Sequence, residues 1–355
     1  MDKLICSKER LTETAKALRR MNEIYEEGDA KLFGIQFGDL ANILEEAICE
    51  EEIPVPYKRF CHSFSGIGIN VEAFHIKYDS EGRIFFTMLV ASNRKRSVKV
   101  ADITELLSTV LQREMKPVPG SRSVITRYPV EIVFADAPKY FTLFGQAGRS
   151  GMENSVSGDC FSFLEYIGGK AYLSLADGMG MGVKASNQSK KIIELFEQYL
   201  QAGFSAETSL KSINSAYSFM NRDESVAMDC VEVDLYSGTL KIIKQGGTTS
   251  FIKRRGNVTE IVPSSLPLGI IYEAKPDIKY IEDVDGSYII LVSDGVVDAL
   301  PFADKEGRMC KILESISAAN PSAFAAKILE EVLGFCEDER RDDMTVLVLG
   351  IWRYS

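Results

Sequence analysis

Three apolar segments of this chain carry an acid at one end, and they constrain its fold more than any other feature. KAYLSLADGMG runs into Asp177-Gly178, YIILVSDG runs into Asp294-Gly295, and Asp342-Asp343 stand just ahead of the last apolar run, TVLVLGIW. A fourth acid, Asp159, precedes another apolar run in SGDCFSF. An acid at the end of a buried strand is held rigidly by the sheet, and a glycine beside it lets backbone come close to a ligand. Taken singly, an Asp-Gly pair is a turn signal or a helix cap. Several such carboxylates converging in one domain would be strongly unfavourable without counter-charge. They would shift their pKa values or bind a cation, and all-oxygen ligation favours Mg²⁺ or Mn²⁺.

The rest of the chain alternates helical and strand patterns. Leu11, Thr14, Ala15, Leu18, Met21 and Tyr25 recur at helical spacing within residues 4–50. Ile67, Ile69 and Val71 alternate, then the phase changes to Phe74, Ile76 and Tyr78, which predicts a strand over 66–78 with a bulge. IFFTMLVA (84–91) reads as the returning strand, and Asp102 through Met115 as an amphipathic helix. From about residue 129 short strands dominate, and Gly168-Gly169 predicts a hairpin between CFSFLEYI and KAYLSLA. Helical periodicity returns over 184–201, 206–220, 305–316 and 321–335. Hairpin connections point to mostly antiparallel sheets in a mixed α/β (α+β) chain. Its 355 residues suit two domains, with a division expected at 1–128 and 129–355.

Charge and residue counts remove several function classes. With 41 basic against 51 acidic residues and a net charge of −10, the surface repels nucleic acid and anionic lipid. The charged N-terminus MDKLICSKERLTETAKALRR does not read as a secretory signal, and no apolar run approaches the ~20 residues that span a bilayer. Seven scattered cysteines without a C-x-x-C pair read as reduced thiols, which places the chain in the cytoplasm. The only histidines are His62 and His75, so a Ser-His-Asp hydrolase or a histidine-rich zinc site has no material to work with. No cysteine is followed by arginine six positions later, which removes the cysteine-phosphatase loop.

SGDCFSF, LADGMGMGVKA, SLPLGI, LVSDGVVDAL and RDDMTVLV resemble, in order and spacing, the metal-dependent PPM (protein phosphatase 2C-like) serine/threonine phosphatases, in particular the stage II sporulation protein E type. The likeness covers roughly residues 129–352 and continues more weakly upstream. It implies an αββα sandwich of two antiparallel sheets flanked by helices, preceded by a small α/β regulatory region. It also implies two Mn²⁺ or Mg²⁺ ions. Asp177 would bridge them, the Gly178 carbonyl would ligate one, Asp294 and Asp342 would complete the ligands of the first ion, and Asp159 would support the second ion through water. Asp343 stands where relatives often carry Asn, so the Asp342-Asp343 pair leaves a one-residue ambiguity, settled here in favour of Asp342. Two such cations would activate a water for in-line attack on phosphorus, so no protein nucleophile is required. Arg149 is a candidate phosphate contact or a solvated loop arginine. The implied partner is a phosphorylated anti-sigma-factor antagonist, with self-association as a homodimer. Membrane involvement is expected only if the chain is a fragment of a longer anchored protein.

Two other motifs are decoys. GMGVKA (180–185) matches a dinucleotide fingerprint, but Asp177 stands where pyrophosphate would approach. DVDGS (283–287) imitates a haloacid-dehalogenase nucleophile, but YIILV comes too soon after it, and Asp285-Gly286 reads as a hairpin turn. A catalytically silent binding platform of the same fold and a stress-response phosphatase are the alternative functions.

Overall fold

A computed structural model describes residues 57–78, 82–93, 97–150, 157–180, 182–220, 225–271, 274–335 and 342–354, with a few positions before 57. The helical run expected over 4–50 lies almost wholly outside the described residues. Contacts divide the chain into two units, Met1–Pro138 and Lys139–Ser355.

In the first unit, helix α1 (Tyr57–Gly66) precedes strands β1 (Ile69–Tyr78) and β2 (Ile84–Ser92). Strand β3 (Val98–Lys99), helix α2 (Val100–Leu111) and strands β4 (Met115–Pro117), β5 (Val124–Ile125) and β6 (Val130–Asp136) come after them. One antiparallel sheet has the order β1-β2-β6-β4, and β3 pairs with β5. The phase change in β1 is a bulge, with the register to β2 shifting between Val71 and Ala73. Phe60 and Phe64 of α1 and Ile103 and Leu107 of α2 bury one sheet face, meeting Phe86, Met88 and Phe134. Helix α2 stops earlier than its periodicity suggests, because Gln112 turns left-handed (φ 53°) and Met115 already pairs in β4. The segment EIVFA (131–135), grouped by its strand pattern with the second domain, is hydrogen-bonded to β2 instead, and Phe134 lies in this unit's core.

The second unit begins with β7 (Tyr140–Arg149), β8 (Asp159–Ile167) and β9 (Lys170–Gly178), then helices α3 (Val183–Gln201) and α4 (Ala206–Met220). Strands β10 (Val226–Asp234), β11 (Leu240–Gln245), β12 (Ser250–Arg254), β13 (Asn257–Ile261), β14 (Asp277–Ile281) and β15 (Ser287–Val292) come next. Helices α5 (Asp294–Asp298), α6 (Lys305–Ser315) and α7 (Pro321–Leu333) lead to the last strand, β16 (Met344–Arg353). Two five-stranded sheets result, with orders β14-β11-β10-β9-β8 and β13-β12-β15-β16-β7. Every pairing in them is antiparallel.

Period-two alternation builds the layers. Leu173, Leu175, Val231, Ile242, Leu291 and Leu347 fill the space between the sheets. The opposite face of the first sheet buries Ala176, Met228 and Ile243 against Ile192, Phe196, Leu210 and Ile213 of α3 and α4. The outer face of the second sheet packs Ile290, Val346 and Val348 against Met309, Phe324 and Ile328 of α6 and α7. The architecture is the expected αββα sandwich. Burial of each such aliphatic side chain contributes roughly 1.5–3 kcal/mol.

Gly168 and Gly169 are both left-handed (φ 57° and 81°), as a two-residue hairpin between right-twisted strands requires. The Asp285-Gly286 turn is not a hairpin, because β14 and β15 belong to different sheets and the turn carries the chain from one to the other. Strands β9 and β10 are antiparallel neighbours although two helices separate them, which excludes the parallel crossover of a dinucleotide fold.

The sandwich is tightest where β7 meets the start of α7. A Cβ added at Gly145 would lie 2.2 Å from both the Pro321 carbonyl carbon and the Ser322 nitrogen. These are backbone atoms, so no rotamer change relieves the clash. Gly145→Ala is expected to cost about 3 kcal/mol or more, lowering the melting temperature by about 6–12 °C. The single tryptophan, Trp352, stacks on Phe141 of β7 with ring centroids 5.8 Å apart, so its fluorescence during thermal unfolding reads this effect directly.

Candidate metal centre

The layer between the two sheets changes character toward one end. Two residues further along their strands, Leu175, Val231, Ile242, Leu291 and Leu347 give way to Asp177, Asp229, Lys244, Ser293 and Thr345. Asp159 stands directly across from Asp177 in the β8–β9 register. Six strands, β8, β9, β10, β11, β15 and β16, thus bring polar side chains to one end of the sandwich.

A cavity of about 450 Å³ opens there, and Asp177, Gly178, Asp294 and Asp342 line it together with Ser225 and Pro267. No Lys or Arg is among its described lining residues. Asp294 is the first residue of α5 rather than the end of a strand, since β15 stops at Val292. Asp159 lies deeper. Its carboxylate sits near the Thr345 and Ser293 hydroxyls, and Oδ2 is buried without a partner among the described residues. Asp342 and Asp343 do different things. Asp342 faces the cavity, while Asp343 is 7% exposed and its Oδ2 accepts from the Gly158 N–H at 2.7 Å. The Asp343 carbonyl accepts from Ser293 Oγ, and the Asp343 N–H donates back to Asp342 Oδ1 at 2.9 Å. Arg149 ends β7 opposite Met344, exposed and outside the cavity lining.

Burial and repulsion dominate the electrostatics. Desolvation, then the charges of Asp159, Asp294, Asp342 and Asp343, push Asp177 up to about 8. Burial raises Asp159 to about 6, with Asp343 and Asp294 adding to the shift and the Thr345 and Ser293 hydroxyls opposing it. Asp294 is raised by burial and then by Asp342. A cation among these groups would remove the cause of every repulsive contribution.

The two Asp-Gly glycines serve close packing rather than turns. Neither Gly178 nor Gly295 has a positive φ, whereas Gly180 and Gly182 do (96° and 81°). A Cβ at Gly178 would lie 2.7 Å from the Ala185 carbonyl oxygen and 2.8 Å from Ser189 Oγ, in the first turns of α3. A Cβ at Gly295 would lie 2.3 Å from the Asp343 carbonyl oxygen. Each glycine lets a second backbone segment close in beside its aspartate.

Among the described residues, no three His, Cys, Asp or Glu side chains form a group already able to hold a metal ion. Mg²⁺ or Mn²⁺ commonly keeps several water ligands in addition to one or two carboxylates, so a ready-made cage of three side chains is not required. The donors fit a hard divalent cation: oxygen only, one of them orphaned and buried, with no competing ammonium or guanidinium among the described residues of the cavity wall. Ser293, Thr345 and the buried Asp229–Lys244 pair escaped the reading of the sequence. Their signal was present as a polar residue at an inward position of a period-two pattern, as in Leu240, Ile242, Lys244.

A family model described as Stage II sporulation protein E (SpoIIE) matches residues 167–352, just over half of the chain. Stage II sporulation protein E of Bacillus subtilis (strain 168) is 29% identical over 287 residues, covering 80% of this chain and 34% of that protein. The Priestia megaterium protein is 28% identical over 303 residues, covering 84% and 51%. The chain therefore spans between a third and about half of the curated relatives it matches. The solved PP2C phosphatase domain of SpoIIE from Bacillus subtilis, with a fragment of its regulatory domain, superposes with a TM-score of 0.62 at 23% identity, covering 98% of this chain and 96% of that one.

The geometry has two measurable consequences. In metal-free protein, groups with raised folded-state pKa values stabilise fully below their unfolded value near 3.8 and lose that contribution as pH rises toward the folded value. The melting temperature should therefore fall between about pH 4 and 8 as Asp159 and then Asp177 ionise. Asp177→Asn should flatten the upper part of that profile, read by calorimetry in the presence of chelator. Asp342→Ala removes the more exposed acceptor of the Asp343 N–H, so it should cost less stability than Asp343→Ala but raise the Mn²⁺ concentration needed for half-maximal binding. Asp343→Ala should instead cost about 1–3 kcal/mol by leaving the Gly158 N–H unpaired. Chemical denaturation beside Mn²⁺ titration separates the two, and a reversed pattern would transfer the ligand role to Asp343.

Proposed function

The chain belongs to the stage II sporulation protein E family, and we propose that it is a metal-dependent protein serine/threonine phosphatase of the PPM type. The observation that carries this reading is the convergence of Asp159, Asp177, Asp294 and Asp342 from both sheets on one end of the sandwich, with burial and mutual repulsion raising three of them. Asp177 would be shared by two Mn²⁺ or Mg²⁺ ions, with the Gly178 carbonyl, Asp294 and Asp342 as further donors and Asp159 acting through water. Such a pair, when bound, supplies Lewis acidity toward phosphoryl oxygens and makes a water acidic enough to attack at neutral pH.

The residues around the cavity suit that division of labour. Among the described lining residues Ser225 is the one hydroxyl side chain, and it is 7% exposed and lies beside the Met179 sulfur, not a base. Neither histidine of the chain lies beyond residue 75, so the unit Lys139–Ser355 has no imidazole of its own to activate a serine. The carboxylates' own part is to hold charge at fixed points, and the sheet fixes them. Asp177 is locked by backbone pairing on both sides, to Asp159 in β8 and Ala227 in β10.

The substrate we propose is a phosphoserine on an anti-sigma-factor antagonist, hydrolysed in a sporulation-type activation of a sigma factor. Support comes from the relatives of that name, at 28–29% identity, and from the five motifs in register. The region before residue 129 is proposed to regulate the phosphatase domain, with self-association as a homodimer and action in the cytoplasm or on the cytoplasmic side of a membrane. Among the described residues no helix is long and apolar enough to cross a membrane.

The test is phosphate release from a panel of phosphorylated antagonist proteins against Mn²⁺ concentration. Turnover should require the metal, and Asp177→Asn should lower it by roughly three orders of magnitude, about 4 kcal/mol in barrier. Activity that persists in chelator, or near-wild-type turnover by the folded variant, would overturn the mechanism. Substrate binding without turnover by the metal-loaded chain would make it a binding platform instead.

A further inference from the structure

Behind the carboxylate cavity, between the two sheets, lies a buried polar triangle that the proposed chemistry does not use. The side chains of Lys244 and Asp229 are 1% and 4% exposed. Lys244 Nζ donates to Asp229 Oδ2 and, at 2.7 Å, to Ser250 Oγ. Ser250 Oγ in turn donates to the same Asp229 Oδ2 at 3.2 Å. The other oxygen, Asp229 Oδ1, is buried and has no partner among the described residues.

That bare oxygen looks toward the site. A Cβ added at Gly247 would come within 3.1 Å of Oδ1, and Gly247 and Asp229 both line a second, small cavity. Its volume is about 10 Å³, and Asp177, Thr248, Ser293 and Asp294 complete its polar wall. Asp177 and Asp294 line this cavity and the large one alike, so they form the partition between the two. The small space is about one water in size and has the several polar partners a buried water needs.

Energetics make the triangle hard to explain as a stabilising device. A buried ion pair seldom outdoes well-packed apolar residues of the same volume. An unpaired buried carboxylate oxygen costs about 1–3 kcal/mol. Both penalties fall in a layer that is otherwise apolar only two residues away.

We propose that the small cavity holds one ordered water, which donates to Asp229 Oδ1 and to Asp177, and that Asp229 acts through it as a positioning residue for Asp177. The inference rests on the reading of Asp177 as a cation ligand. Lys244 and Ser250 hold Asp229 in place by one oxygen, so the water must give a hydrogen to the other. Its remaining hydrogen fixes the inner side of the Asp177 carboxylate and leaves the outer side free for a cation. Lys244 anchors Asp229 through Oδ2 and is not among the described residues lining the cavity.

The test uses the full chain and the triple variant Asp229→Leu/Lys244→Met/Ser250→Ala, which removes the whole triangle at similar volume. Thermal unfolding without metal, read by Trp352 fluorescence, reports its structural worth. Mn²⁺ affinity is measured by calorimetry without substrate. We expect an unchanged or raised melting temperature together with a roughly tenfold or greater loss of Mn²⁺ affinity, the scale typical of partners that orient metal ligands. A folded variant whose Mn²⁺ affinity matches the wild type within about twofold, below that scale, overturns the inference alone. A wild-type chain that binds no Mn²⁺ overturns the cation reading and the inference with it. A crystal structure of the wild type at a resolution that shows waters decides independently of the variant's folding. A water bridging Asp229 Oδ1 and Asp177 supports the assignment, and a dry cavity overturns it.

Discussion

Mutual repulsion among carboxylates confined between two sheets is the interaction on which the rest of the site depends. Asp177 is pushed up to about 8, because it is buried and has acidic neighbours from β8, α5 and the segment leading into β16. A surface cluster of the same composition would be relieved by solvent and salt. Here the sheets prevent relief. Asp159 and Asp177 are cross-strand partners, and β9 is held between β8 and β10. The protein stores an unfavourable arrangement of charge in its most rigid element, which favours whatever cation enters.

Rigidity has a local cause in the two glycines beside the acids. Gly178 admits the first turns of α3, and Gly295 admits the backbone of Asp343. The same close approach that narrows the site also links it to the helical layers, since α3 packs on the first sheet and α5 continues from the second. Asp343 completes the fastening by holding Gly158, just ahead of Asp159. The neighbouring acid, Asp342, is left to face the cavity.

Much of this was legible in the sequence because strand patterns and acidic ends are local signals. The hairpin at Gly168-Gly169, the bulge in β1 and the helices after residue 183 arise from periodicity and turn chemistry. What was not legible depends on which strands become partners. EIVFA has no feature that assigns it to β2 rather than to the sandwich, so pairing alone put it in the first unit. Asp285-Gly286 looks like any hairpin turn, and only the split of β14 and β15 between sheets shows otherwise. Within the site, the three strand-end acids stood out, whereas Ser293 and Thr345 are unremarkable letters until the sheets face each other. Asp229 and Lys244 pair at 15 residues' separation. Each looks like an ordinary charged residue until its inward phase is noticed.

The sheet order carries a consequence for how the molecule comes into being. Strand β16 lies between β15 and β7 in the second sheet, so residues 344–353 fill an interior position of that sheet and not an edge. During synthesis β7 emerges early and must wait for nearly the whole unit before its partner arrives. Until then it offers an unpaired edge, and a second nascent copy presents the complementary one. Such long-range closure is slow and exposes chains to strand exchange between copies. The carboxylates are drawn from both sheets and from the segment entering β16, so they cannot gather before that closure. A ribosome-bound chain would therefore hold no complete site until residues 344–353 had emerged.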